Sequence, residues 1–162
     1  MKKIIFLTIL FTSFVNAQVF NGKGDVKFQI GANLQKDGTG IATSIDFGLN
    51  ENMSVGLISS YLLNTSTYYG IPKFIDRFDI KARFNANIGN VLNIDDNLDI
   101  YPGLNIGLKN FGGHLGARYF FTDSFGVFTE ASFPIAKYQN KNTGYDYLNN
   151  QYTFNIGASF NL

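Results

Sequence analysis

Few residues in this chain are of a type that does chemistry. His114 is the single histidine, and there is no cysteine. The missing thiol removes disulfides, thiolate metal sites and a cysteine nucleophile. A hairpin turning about Asp123 places Ser132 opposite His114, which is a nucleophile beside a base. No Asp or Glu is evident beside them to orient the imidazole. A second constellation is Asp95-Asp96-Asn97 in the stretch IDDNL, where two adjacent carboxylates sit between apolar residues. It reads as a metal corner, an acid/base pair or a turn. A third is charge at every second position: Arg77, Asp79, Lys81 and Arg83.

The elements that hold these residues follow from a period of two, the signature of strands. Val26, Phe28, Ile30, Ala32 and Leu34 alternate with polar or small residues, and the pattern recurs over 41–49, 53–63, 78–94, 98–108, 113–121, 125–135 and 152–162. No segment has a convincing helical period. The chemistry-bearing residues therefore sit on strands, and a strand sends them all to one face.

The connections predict the architecture. Asn50-Glu51-Asn52, Asp95-Asp96-Asn97 and Thr122-Asp123-Ser124 each join two runs with the apolar phase kept. Asn, Asp and Ser bond their own backbone and tolerate tight-turn dihedrals, so IDDNL reads as a hairpin turn. The other joints, 36–40, 64–76, 109–112 and 137–151, are generally longer. Short turns alternating with longer loops predict an all-β fold, an eight-stranded antiparallel up-and-down β-barrel.

Alternation alone does not say which face meets which solvent. The apolar face carries no charged residue over all eight runs. The opposite face combines Gly, Asn and Ser with charges of both signs: Lys27, Asp46, Asp79, Lys81, Arg83, Asp99, Arg118 and Glu130. A water-facing surface favours long Lys and Glu. The narrow inside of an eight-stranded barrel favours small residues and paired charges, because an unpaired buried charge is expensive. The expectation is a transmembrane barrel with an interior charge network. Register about Asp123 sets Arg118 one diagonal step from Glu130, which predicts an Arg118–Glu130 ion pair.

Lys2 and Lys3 precede an apolar run over 4–15 and a Val15-Asn16-Ala17 cleavage site. This is the pattern of a secretory signal peptide. The run is short of the roughly 20 residues that a spanning helix needs. The expected division is a signal peptide over 1–17, cleaved after Ala17, and a barrel domain over 18–162. A formal net charge of +1 gives no electrostatic reason to expect nucleic acid. Gly22-Lys23-Gly24 and Gly38-Thr39-Gly40 lack a following helix and are turns, not phosphate loops. No cofactor is expected.

The chain ends in YTFNIGASFNL, alternating to Leu162 with Tyr152, Phe154 and Phe160 on one face. With the signal peptide, eight strands, short turns and longer loops, this resembles small Gram-negative outer-membrane barrels of the OmpA/OmpX transmembrane-domain type. The resemblance implies an outer-membrane location, lipid around the barrel and engagement of the assembly machinery through strand 152–162. It also implies periplasmic turns, outward loops and an interior plugged by side chains. Some small barrels of this kind modify lipids with Ser/His sites, which keeps His114 and Ser132 in view as an alternative. Tyr68, Tyr69, Tyr145 and Tyr147, in loops 64–76 and 137–151, are the candidates for an extracellular partner, since Tyr, Asn and Gly make adaptable contact surfaces. The expected function is non-enzymatic, structural or loop-displaying. A soluble secreted barrel with a small ligand inside is the other alternative, and the charges could also serve a proton relay or narrow pore.

Overall fold

The structure, a computed structural model, describes residues 19–68, 70–92, 94–138 and 144–162. Eight strands form one closed antiparallel barrel: β1 (Val26–Gln35), β2 (Gly38–Asn50), β3 (Met53–Thr65), β4 (Phe78–Ala86), β5 (Leu98–Gly107), β6 (Asn110–Phe120), β7 (Phe125–Lys137) and β8 (Thr153–Asn161). Each strand pairs with the next, and β8 returns to β1 through pairs such as Ile30–Ala158. Closure leaves no unpaired strand edge.

The polarity of the wall is inverted relative to a water-soluble core. Outward positions are apolar and open, among them Ile41, Leu57, Leu104, Ile106, Val127 and Ile156. Inward positions are polar and closed off, among them Lys27, Asp46, Arg83, Asp99, Arg118 and Glu130. Leu57 is 50% exposed while Arg118 is 1% exposed. The period-two phase assigned from the sequence holds on every strand. The interior is not only small and polar, however. Tyr101, Phe120, Phe128 and the N-terminal Phe20 are buried inside it.

Four connections differ from expectation. The β3–β4 connection ends in a helical turn, Phe74–Arg77, which takes Arg77 off the strand. The expected fourth strand over 78–94 ends at Ala86, and the chain then makes a helical turn, Gly89–Leu92. The cause is local. Asp99 accepts hydrogen bonds from the Asn87 side chain (2.8 Å) and the Gly89 backbone (3.2 Å), which draws the chain over the barrel end before the apolar alternation runs out. IDDNL is therefore not a three-residue hairpin. It is the last part of a longer joint, in which the Asp95 carboxylate accepts from the Asn97 backbone at 2.8 Å. That is an Asx turn.

The first and third loops are shorter than expected. Gln35 already pairs with Gly38 around Lys36-Asp37, with Asp37 at φ 58°. Asp tolerates that left-handed conformation in a tight turn. Likewise β6 begins at Asn110, so Leu108-Lys109 is the whole β5–β6 turn. Glycines at 38, 40 and 112 read as loop but continue the ladders. At Gly40 the partner backbone comes so close that a Cβ would strike the Tyr61 carbonyl. Pro134, which cannot donate to a ladder, sits beside the β6–β7 register shift.

Candidate functional site

The interior charges form three buried groups, the third being Lys27 with Asp25, and a looser fourth. Arg83 on β4 reaches across the barrel, donating to Asp46 on β2 at 2.7 Å and Glu130 on β7 at 2.9 Å. Arg118 on β6 donates through Nε and Nη2 to Asp99 at 3.0 and 2.7 Å, and lies 3.9 Å from Asp46. Tyr101 lies between the two guanidinium groups, 5.6 Å from Arg83 and 4.8 Å from Arg118. Cation–π attraction supplements the ion pairs in this desolvated stack. Gly116 makes room for it, since a Cβ there would fall inside the Tyr101 ring. Nearer the loops, Lys81 lies 3.6 Å from Asp79 and donates to Asn110 at 3.2 Å.

The expected Arg118–Glu130 pair does not form. Asp99 stands directly opposite Arg118 in the β5–β6 register, while Glu130 faces Gly116 and is free to cross the lumen to Arg83. A barrel gives β6 a neighbour on both sides, and Arg118 pairs toward β5 rather than β7. Asp25 was also missed. Its carboxylate accepts from Lys27 at 2.7 Å and from the Asn21 backbone at 2.7 Å. Its place two residues before Lys27, on the same face of the strand, was the available signal.

The turn-side mouth is filled by the N-terminal segment. The Val19 backbone donates to Asp96 at 3.2 Å, and the Phe20 carbonyl accepts from Asn90 at 3.1 Å. The Phe20 ring lies 5.9 Å from the Arg118 guanidinium. The loop-side mouth is covered by 144–151. Leu62, Tyr145 and Leu148 make a small apolar cluster with Tyr147 against it. Asn149 is bonded to Gln35 and to the Arg77 carbonyl.

Ser132 and His114 are indeed register partners. Their polar atoms are turned elsewhere. One imidazole nitrogen, Nε2, lies 2.8 Å from Asn85 Oδ1, and the other, Nδ1, lies 3.3 Å from Asn105 Nδ2. Ser132 Oγ lies 3.4 Å from Glu130. From Asn85 a line of hydrogen bonds runs through Ser54 (3.0 Å) and Asn87 (2.9 Å) to Asp99 (2.8 Å). Side-chain amides donate and accept but do not take up and release protons at ordinary pH, so this line orients side chains rather than relaying charge. The cavity beside His114, Asp79 and Glu130 has a volume of ≈ 20 Å³, enough for about one water.

Among the tyrosines singled out from the sequence, Tyr68 is 85% exposed on the β3–β4 loop. Tyr145 is buried and its hydroxyl donates to the Gly70 carbonyl. Tyr147 packs on the same cluster. Tyr69 and the segment 1–17 lie outside the described residues.

No curated protein matches the chain. The model of a family of unknown function, DUF6646, matches residues 9–162, and the chain belongs to that family.

Proposed function

We propose that the protein is an integral outer-membrane barrel, non-enzymatic, with an interior filled by its own side chains, which holds its loops at the cell surface. The observation that carries this reading is the inverted wall: exposed Ile, Leu, Val and Phe outside, paired charges inside. Water around such a wall would hydrate apolar side chains on every strand, and lipid removes that cost. The strands run from 9 to 13 residues, against about 9–11 for a tilted strand crossing a bilayer. The resemblance to OmpA/OmpX-type barrels supports the same reading. Export would use the 1–17 signal with cleavage after Ala17, and assembly would use strand 152–162. The hairpin turns would then face the periplasm, and loops 64–76 and 137–151 would face outward to a partner.

The interior supports plugging over transport or binding, since ≈ 20 Å³ is far below the 300–1,000 Å³ of a small-molecule site. A lipid-modifying role for His114 and Ser132 would need the hydroxyl on an imidazole nitrogen, and both nitrogens face amides.

The test is fractionation followed by a denaturing gel, unheated beside boiled. A closed ladder, in which no strand is left as an edge, resists detergent when cold. The expected result is outer-membrane recovery with a mobility shift on boiling. Recovery in the soluble periplasmic fraction with no shift would overturn the proposal.

A further inference from the structure

The β3–β4, β5–β6 and β7–β8 connections converge on a cleft of ≈ 290 Å³ at the loop-side rim, lined by Ile75, Asp76, Leu108, Tyr138, Tyr145 and Asp146, with Lys109 in its wall. This volume is about the lower bound for small-molecule sites. The walls are tied to one another. The Lys109 ammonium donates to the Asp76 carbonyl at 2.9 Å and the Leu148 carbonyl at 3.1 Å, joining all three connections. The Tyr138 backbone donates to the Lys109 carbonyl at 3.1 Å. A cleft pinned this way is preformed, so a ligand meets little ordering cost.

Its chemistry selects by charge. One Asp76 oxygen accepts from the Lys73 backbone at 2.7 Å. Among the described residues the Asp146 carboxylate makes no hydrogen bond and no close ion pair, and its charge acts on Lys109 from a distance. Opposed to these two carboxylates is one ammonium, Lys109, already occupied by two carbonyls, and burial pushes its pKa down. The remaining walls are apolar or aromatic, and Ile75, Leu108 and Tyr138 are all more than half exposed. An anion would meet both carboxylates, and a neutral ligand would leave Asp146 unused.

We propose that this cleft binds a small organic cation, a protonated amine with an apolar body. The ammonium sits against Asp146 and Asp76, and the body lies on Ile75, Leu108 and the Tyr138 ring. Tyrosine faces add attraction for the cation. The inference deepens the loop-display reading and rests on it for the cleft's outward position.

The experiment is calorimetric titration of the full mature chain, folded in detergent micelles and showing the heat shift, with 2-phenylethylamine hydrochloride. The neutral 2-phenylethanol and the anionic 3-phenylpropanoate are titrated alongside. The amine is expected to bind about two- to fivefold more tightly than the alcohol, the worth of one exposed charge contact, and the propanoate least. Asp146→Asn is expected to erase the preference for the amine, while Asp123→Asn at the opposite mouth leaves it intact. Equal binding of amine and alcohol, tighter binding of the propanoate, no binding of the amine, or an Asp146→Asn variant that behaves as wild type would each overturn the cleft proposal and leave the barrel reading standing. Protein that folds without detergent and lacks the shift would overturn the outer-membrane reading instead, and the same titration in buffer would still judge the cleft.

Discussion

Replacing Arg83 by methionine tests whether the lumen is dry. The guanidinium holds Asp46 at 2.7 Å and Glu130 at 2.9 Å, and the three side chains are at most 2% exposed. Methionine roughly keeps the volume and removes both partners at once. Asp46 retains only the distant Arg118 at 3.9 Å, and Glu130 retains Ser132 at 3.4 Å. Breaking a buried pair while leaving its partner charged costs about 3–5 kcal/mol. The Arg83→Met barrel should lose about that much stability in a urea titration followed by the unheated gel shift. Neutralising the stranded carboxylates should return most of it: Arg83→Met combined with Asp46→Asn and Glu130→Gln should come within about 1–2 kcal/mol of wild type, since uncharged replacements of a buried ionic group are often near neutral. A loss below about 1 kcal/mol for Arg83→Met alone would refute the reasoning. It would mean that the two carboxylates are hydrated and that the lumen is a water channel.

Three further perturbations test separate parts of the account. Gly116→Val drives a side chain into the Tyr101 ring and should cost about 1–3 kcal/mol by overpacking; adding Tyr101→Leu should recover part of it in the same urea titration. Leu57→Arg places a cation on the outer wall at mid-strand and should cost about 2–4 kcal/mol in a bilayer, whereas Tyr68→Arg on the exposed loop should change refolding yield little. His114→Ala should leave the acyl-chain masses of the outer-membrane lipids unchanged by mass spectrometry, and an altered acyl pattern would revive the lipid-modifying reading.

Strand number, strand phase and the choice of inward charges were legible because a barrel wall imposes a strict period of two. Lys27, Asp46, Asp79, Arg83, Asp99, Arg118 and Glu130 are buried inside and Lys81 is half-buried there, whereas Arg77 lies on the helical turn Phe74–Arg77. What escaped was whatever depends on three-dimensional closure. Arg83 could not be matched to Asp46 and Glu130 from β4 alone, because those partners lie on β2 and β7, across the lumen rather than beside it. The end of β4 at Ala86 was hidden by Ile88, Leu92 and Ile94, whose apolar alternation continues past the point where Asn87 and Gly89 bond to Asp99. Glycine misled at the other rim: 38, 40 and 112 look like loop yet continue the ladders, and at 40 and 112 the partner backbone comes too close for a side chain. Tyr145 looked like a loop-tip tyrosine, and only the folded β7–β8 connection brings it onto Leu62 and Leu148.

The claim that the outer wall faces lipid can be read directly, because the chain has no tryptophan. A single probe is introduced as Leu57→Trp on the outer wall and, separately, as Tyr68→Trp on the loop. Both variants are reconstituted into vesicles with and without brominated acyl chains. Strong quenching by the brominated chains for Leu57→Trp, with none for Tyr68→Trp, is the predicted result. Leu57→Trp fluorescence that ignores the brominated chains and is quenched instead by aqueous iodide would contradict the account, and would place this apolar wall in water.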